Sequence, residues 1–401
     1  MSSQSKLVPK LRFPEFSDEW QTVSFKDVFE RVTRKNKENN QNILTISAQQ
    51  GLVSQEKFFN KIVAAKNVTN YYLLHKNDYA YNKSYSKGYP MGAIKRLIYD
   101  EKGVVSTLYI CFKLKNGTEN FYDQYFSTGN LNPEIEKIAQ EGARNHGLLN
   151  MSVGDFFEIN IITPSEPEQE KIAGFLTVVD EKISVLEQKL KLIQKYKKGL
   201  MQQIFSQKLR FKDANGQNYP AWQTKKLGEI GPVSMCKRIF KEQTKITGEI
   251  PFYKIGTFGG NADAFIDFDI YNEYRQKYSF PKTGEILISA AGTIGRLVIF
   301  DGLPAYFQDS NIVWIANNEK IVINKFLYYC YANIQWKTAD TTIARLYNDI
   351  LKNITINIPE IIEQQKIADF LSAIDEKIDL ENNKLTQAKL FKKSLLQRMF
   401  V

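Results

Sequence analysis

Two stretches of the chain place apolar residues at steps mostly of three and four, with polar residues between them. In 168–205 these positions are Ile172, Phe175, Val179, Ile183, Leu186, Leu190, Ile193, Leu200 and Ile204. In 363–400 they are Ile367, Phe370, Ile374, Ile378, Leu385, Ala388, Phe391, Leu395 and Met399. Steps of this size keep one stripe on one side of an α-helix, so the pattern predicts two long helices, each with a coiled-coil seam. Pro167 and Pro359 stand at or shortly before their starts, where a missing N–H is tolerated. A helix of about 40 residues rises roughly 60 Å, too far for an ordinary element of a compact domain. Its stripe needs a partner. The simplest is its own copy, and because a whole block of chain separates the copies, the pair is expected to run antiparallel. Pairing between two chains is the other way to cover the same seam.

The blocks between these helices follow a different pattern. Short β-branched or aromatic runs bounded by Gly, Asn or Pro lie at 43–47, 104–114, 158–162, 285–289, 296–300 and 354–358, and read as strands. The expected fold class is therefore mixed α/β (α+β). Two globular domains, 1–164 and 208–359, alternate with two spacer helices, 165–207 and 360–401.

The helical stretches are copies of one another. They align without a gap at an offset of 195, with 18 of 38 positions identical. The duplication reaches further: Lys-Leu-Arg-Phe occurs at 10–13 and 208–211, and each copy is followed by Trp-Gln-Thr, at Trp20 and Trp222. A period this long makes two copies of a domain unit and not a solenoid. The globular blocks are less alike but share landmarks. Each has a turn-rich segment (82–92 and 289–295), then a strand, then an Ala-Arg pair (Ala143-Arg144 and Ala344-Arg345), then a strand running to Pro164 or Pro359. Near-identical helices beside divergent domains suggest one common geometry carrying two different readers.

Composition narrows the chemistry. Lys and Arg number 54 against 44 Asp and Glu, a formal charge of +10, which suits a polyanionic partner such as nucleic acid. Cys111, Cys236 and Cys330 are far apart, and His75 and His146 are the only histidines. A disulfide framework, a zinc ribbon and a histidine-rich metal site are thus not expected, and the cysteines read as packed thiols. The first residues lack the apolar core of a signal peptide, and no run approaches the ~18 apolar residues of a membrane span. A soluble, cytoplasmic protein is expected, with no metal and no cofactor.

The doubled [EQ]-x-K-I-A-x-F-L-x-x-[VI]-D-E-K-I segments resemble the repeated regions of type I restriction–modification specificity subunits. So do the turn Gly292-Thr-Ile-Gly295 and the Pro-x-x-x-Glu-Gln approach to each helix. The resemblance covers essentially the full chain. It implies that each globular block is a target-recognition domain for one half of a split DNA sequence. It also implies that the antiparallel helices set the gap between the halves. The implied partners are double-stranded DNA, two adenine methyltransferase subunits, and ATP-dependent restriction subunits.

The chain lacks the motifs of those partners. It has no Pro-Pro, which the Asn/Asp-Pro-Pro-aromatic methylase motif needs, and no GxxxxGK[ST] loop for ATP. Asp180-Glu-Lys182 and Asp375-Glu-Lys377 carry nuclease-like residue types but fall on the amphipathic helices, where they read as solvated charge. No catalytic residue is expected. A scaffold that holds protein partners and reads no DNA is the competing interpretation.

DNA contact needs phosphate donors and side chains able to reach base edges: Gln and Asn suit adenine, Arg and Lys guanine. In the first block the candidates are Ser47, Gln49 and Gln50; Asn82, Lys83, Ser84, Tyr85, Ser86 and Lys87; and Arg144, Asn145 and His146. In the second they are Lys254, Thr257, Ser289, Thr293, Arg296, Arg345 and Tyr347. Lys195, Lys197, Lys198, Lys392 and Lys393 on the helices read as a solvated face.

Overall fold

A computed structural model describes residues 6–47, 50–59, 67–86, 88–141, 149–336 and 345–401. The long helices are present, at Glu166–Phe205 and Ile361–Met399. The chain divides into two compact units. The first holds Met1–Gln188 with Asn383–Val401, and the second Lys189–Asn382. Each unit therefore contains one globular block, the near half of one long helix and the far half of the other.

Ion pairs between the helices give their direction. In the first unit Asp180 meets Lys392 (2.6 Å) and Glu187 meets Lys389 (2.6 Å). In the second, Lys189 meets Glu381 (2.9 Å) and Lys197 meets Asp375. In both units the number falls on one helix as it rises on the other, so the pairing is antiparallel. Asp180–Lys392 and Asp375–Lys197 are the same pair under the sequence repeat.

The seam runs close to the expected positions. Ile172 and Ile204 on the first helix, and Ile367 and Leu395 on the second, are buried. Val179, Ile183, Leu190, Ile193, Ile374, Ile378 and Leu385 are half-buried along the same stripe. Phe175 departs from expectation. It is 38% exposed and meets Phe13 edge-on at 5.8 Å, and Leu176, fully buried, takes the seam. Phe370 also meets a ring, Phe211 at 5.5 Å, but stays half-buried against the core of its unit beside buried Leu371, as the spacing predicts. Of the two, only Phe175 is drawn off the seam, by the phenylalanine of the Lys-Leu-Arg-Phe segment at 10–13.

The start of each helix is clamped by matching residues. Arg12 donates twice to the Glu168 carboxylate (2.8 and 2.7 Å), and the Trp20 indole N–H donates to it at 3.3 Å. Arg210 and Trp222 hold Glu363 in the same way, at 3.2, 2.7 and 3.2 Å. Both carboxylates are buried, a position that a carboxylate tolerates only when paired and hydrogen-bonded. The next residues, Gln169 and Gln364, donate to the carbonyls of Pro164 and Pro359 and accept backbone N–H groups of Thr118 and Ile323. The helix ends match as well. Leu11 N–H bonds the Arg398 carbonyl as Leu209 N–H bonds that of Gln203.

The globular blocks share the order of one four-stranded sheet. The first contains an antiparallel sheet ordered Phe29–Arg31, Ile110–Leu114, Tyr79–Asn82, Ala93–Arg96; the second contains Val233–Ser234, Ile312–Ile315, Ile286–Ser289, Leu297–Ile299. A ribbon joins the start of each block to its end: Gln21–Ser24 with Asn160–Thr163, and Gln223–Lys226 with Thr355–Ile358. The run 104–114, expected as one strand, is two: Lys102–Val105 and Ile110–Leu114. Tyr109 N–H bonds back to the Ser106 carbonyl and turns the chain between them. Glu158, expected to begin a strand, ends the short helix Val153–Glu158. Among the described residues, no helix is long and apolar enough to cross a membrane.

Candidate nucleic-acid interface

In the second unit four loops converge beside one end of the four-stranded sheet. The turn 289–296 links its last two strands. Ser289 is buried; its hydroxyl donates to the Thr293 carbonyl (2.6 Å) and accepts from Arg296 N–H (2.8 Å). The Arg296 guanidinium donates to the Phe258 carbonyl (2.6 Å), pinning the loop after Ile250–Tyr253 against this turn. Gly295 has φ +81, and a Cβ there would stand 2.1 Å from the Trp336 ring, so only glycine fits. Within the neighbouring loop, Thr257 Oγ1 accepts from Lys254 N–H, and Lys254 Nζ pairs with Asp263 at 2.8 Å. Arg345 bridges back to Ala291 and donates to the Ser310 carbonyl at 3.4 Å. Tyr347 is 52% exposed beside it.

The candidates thus separate by what their side chains already do. Ser289, Thr257 and Arg296 hold loops in shape. Thr293 and Tyr347 face solvent, and Lys254 and Arg345 line adjoining cavities of about 490 and 460 Å3 that meet at Ser310. Those cavities also expose what the sequence reading passed over: Arg238, Gln308, Asp309 and Asn311. The polar run 308–311 between two apolar runs was the available signal; Arg238 had none.

The first unit repeats the plan. Asn82 accepts Ser84 N–H, Tyr89 N–H bonds the Ser86 carbonyl, and the Tyr81 hydroxyl donates to the Met91 carbonyl, bonds that tie together the described residues of 82–92. Tyr85 projects from it, 64% exposed, and Lys83 is half-buried. Lys95 lies over the Tyr89 ring at 5.2 Å, and burial holds its ammonium below the ordinary lysine value. Leu149 N–H bonds the Lys83 carbonyl, the counterpart of Leu346 N–H on Ala290. Ser47, buried at the end of the strand Leu44–Ser47, accepts Gln50 N–H across a hairpin turn; the hairpin's second strand packs beside Ala93–Arg96. Gln49, Lys87, Arg144, Asn145 and His146 lie outside the described residues.

Comparisons with known proteins agree with this duplicated plan. A sequence model of the type I restriction modification DNA specificity domain matches residues 17–195 and again 220–390. The chain belongs to that family. A protein of Haemophilus influenzae carrying the name of a type I restriction enzyme specificity subunit is 56% identical over 162 residues. That match spans 40% of this chain and 41% of the relative, less than half of either. The type I restriction enzyme MjaVIII specificity subunit of Methanocaldococcus jannaschii is 24% identical over 319 residues, covering 74% of this chain and 73% of that one. The fold is that of the S subunit of a type I restriction–modification system from M. genitalium. That structure has a TM-score of 0.58 at 17% identity, over 98% of this chain and 99% of the other.

Proposed function

We infer that this chain is the DNA-recognition subunit of a type I restriction–modification complex. It reads a bipartite target with one half-site per globular block, within 1–164 and 208–359. The observation that carries this reading is the repetition of one sheet topology with loops gathered at the same strand ends. The loop residues differ between the copies while the clamps and helix seams match. One scaffold with two different loop sets is what a protein needs in order to read two different half-sites.

The chain is the non-catalytic member of the complex and directs adenine methylation and restriction by partner subunits in the cytoplasm. Apolar side chains left uncovered on the long helices support docking of those partners. Val178 and Val185 are 64% and 61% exposed in the first unit; Leu192, Tyr196 and Leu380 are 65%, 60% and 54% exposed in the second. Such residues, off the seam and at helical spacing, suit partner helices that complete a bundle.

The test is a map of adenine methylation across the host genome with the gene intact and deleted. Loss of methylation at one split motif supports the reading. Unchanged methylation overturns it and leaves a scaffold without readout. In binding assays, affinity of the complex for duplexes carrying the motif should fall steeply with salt, because phosphate contacts release counterions.

A further inference from the structure

The loop 308–311 joins the strands Tyr306–Phe307 and Ile312–Ile315, and with Arg238, Lys241 and Lys254 it lines the 490 Å3 cavity of the second unit. Its shape is held from several sides. Gln308 Oε1 accepts Ile255 N–H at 2.9 Å, and Asn311 N–H bonds the Asp309 carbonyl at 2.6 Å. The Ser310 carbonyl is gripped by Arg345, and Ser310 itself has φ +55, a region that side chains other than glycine rarely adopt. Backbone held in such a conformation by its surroundings is concentrated at binding and catalytic sites.

What this loop presents is a fork and an amide. Arg238 Nε donates to Asp309 Oδ2 at 2.9 Å, with the arginine 59% exposed and the aspartate 18%. A guanidinium fixed at Nε keeps its two terminal nitrogens oriented, with no other partner among the described residues, and that planar fork matches O6 and N7 of guanine. The Asn311 side-chain amide is half-buried and has no hydrogen-bond partner among the described residues. Its donor and acceptor match N7 and N6 of adenine. The carboxylate against the guanidinium also discriminates between ligands: it repels a phosphate, whereas a neutral base edge tolerates it.

We propose that Arg238 and Asn311 read base edges in the half-site of the second block, with Asp309 as the positioning residue for Arg238. This rests on the DNA-recognition reading. The experiment expresses Arg238→Ala, Arg238→Lys, Asn311→Ala and Asp309→Ala, each in the complete complex in a host lacking the native gene, and maps the methylated motif. Arg238→Ala and Asn311→Ala should each relax one or two positions of one half of the motif, by about tenfold or more in discrimination. The other half should not change. Arg238→Lys, which keeps the charge and loses the fork, should act like Arg238→Ala, and Asp309→Ala should relax the same positions. If a variant loses methylation entirely, binding of its complex to duplexes with single base changes is read instead, against the same two outcomes. An identical base requirement at every position overturns the proposal, whether the signal is unchanged or uniformly lower, the latter marking a phosphate contact. Relaxation in both halves overturns it too. Failure of the recognition reading shows separately, as a wild-type chain whose deletion leaves methylation intact.

Discussion

Replacing Glu363 by alanine removes the acceptor at the centre of the second clamp. The carboxylate is fully buried, takes two bonds from Arg210 at 3.2 and 2.7 Å, and accepts the Trp222 indole N–H at 3.2 Å. Alanine leaves a guanidinium that is only 21% exposed, and a half-buried indole N–H, without that partner. Breaking a buried pair by deleting one member costs about 3–5 kcal/mol, and the arginine's partial exposure favours the lower end. For a unit of roughly 150–250 residues each kcal/mol lowers Tm by about 2–4 °C, so a drop of about 6–12 °C is expected. Removing Arg210 as well should cost less than the two single changes added together, with a coupling of about 1.5–3 kcal/mol, as for hydrogen bonds to charged groups. Thermal melts followed by circular dichroism give the totals. Hydrogen exchange at the start of Ile361–Met399 locates the loss. Glu168→Ala is an internal replicate, since Arg12 is 11% exposed. A Tm change below about 2 °C, or additivity within about 0.5 kcal/mol, would refute the clamp as the anchor of these helices.

Three further outcomes are expected. Burial raises the thiol of Cys236 to about 12, and pushes those of Cys111 and Cys330 up as well, so a thiol reagent at pH 8 should label the native chain negligibly and all three cysteines in guanidinium. Burial raises the Asp123 carboxyl to about 6, against the lowering influence of Arg96. A raised acid binds its proton more tightly when folded. Its stabilising contribution is therefore full below about pH 3.8 and is lost as pH rises through about 6; Asp123→Asn should remove that slope from a plot of Tm against pH. Gly295→Ala puts a Cβ 2.1 Å from the Trp336 ring at φ +81, and should cost at least the ~1–2 kcal/mol of the left-handed conformation, measured by urea unfolding.

Much of the architecture was legible because it is periodic or repeated. Steps of three and four marked both helices within a few residues of their ends, and the 195-residue offset with the recurring Lys-Leu-Arg-Phe and Trp-Gln-Thr segments marked the duplication; that Arg12 and Trp20 hold Glu168 only the structure showed. Phe175 shows the limit of periodicity. By spacing it fits a seam, but spacing carries no account of a third element, and the ring of Phe13 draws it away, whereas its counterpart Phe370 stays half-buried against the core. The strand 104–114 failed for a related reason. Apart from Ser106 the residues through 109 are apolar or β-branched, and a single serine is a weak mark of the backbone bond from Tyr109 to Ser106 that ends the ladder.

The site divides along the same line. Residue types that can touch DNA were recognisable as types: the glycines and hydroxyls of 289–296, the polar turn at 82–87 and the Ala-Arg pairs. Sequence alone determined that there are two such sets on one duplicated frame, because duplication is a property of the string. Only the tertiary structure decided which side chains are already engaged. Ser289 is buried and Arg296, though exposed, is tied back to the Phe258 carbonyl, because a sharp turn leaves backbone groups that need partners and these side chains supply them. Only the tertiary structure, too, joined Arg238 to Asp309 across 71 positions of chain. A hydrogen bond depends on distance in space, and separation along the chain sets no limit on which residues a fold brings within reach.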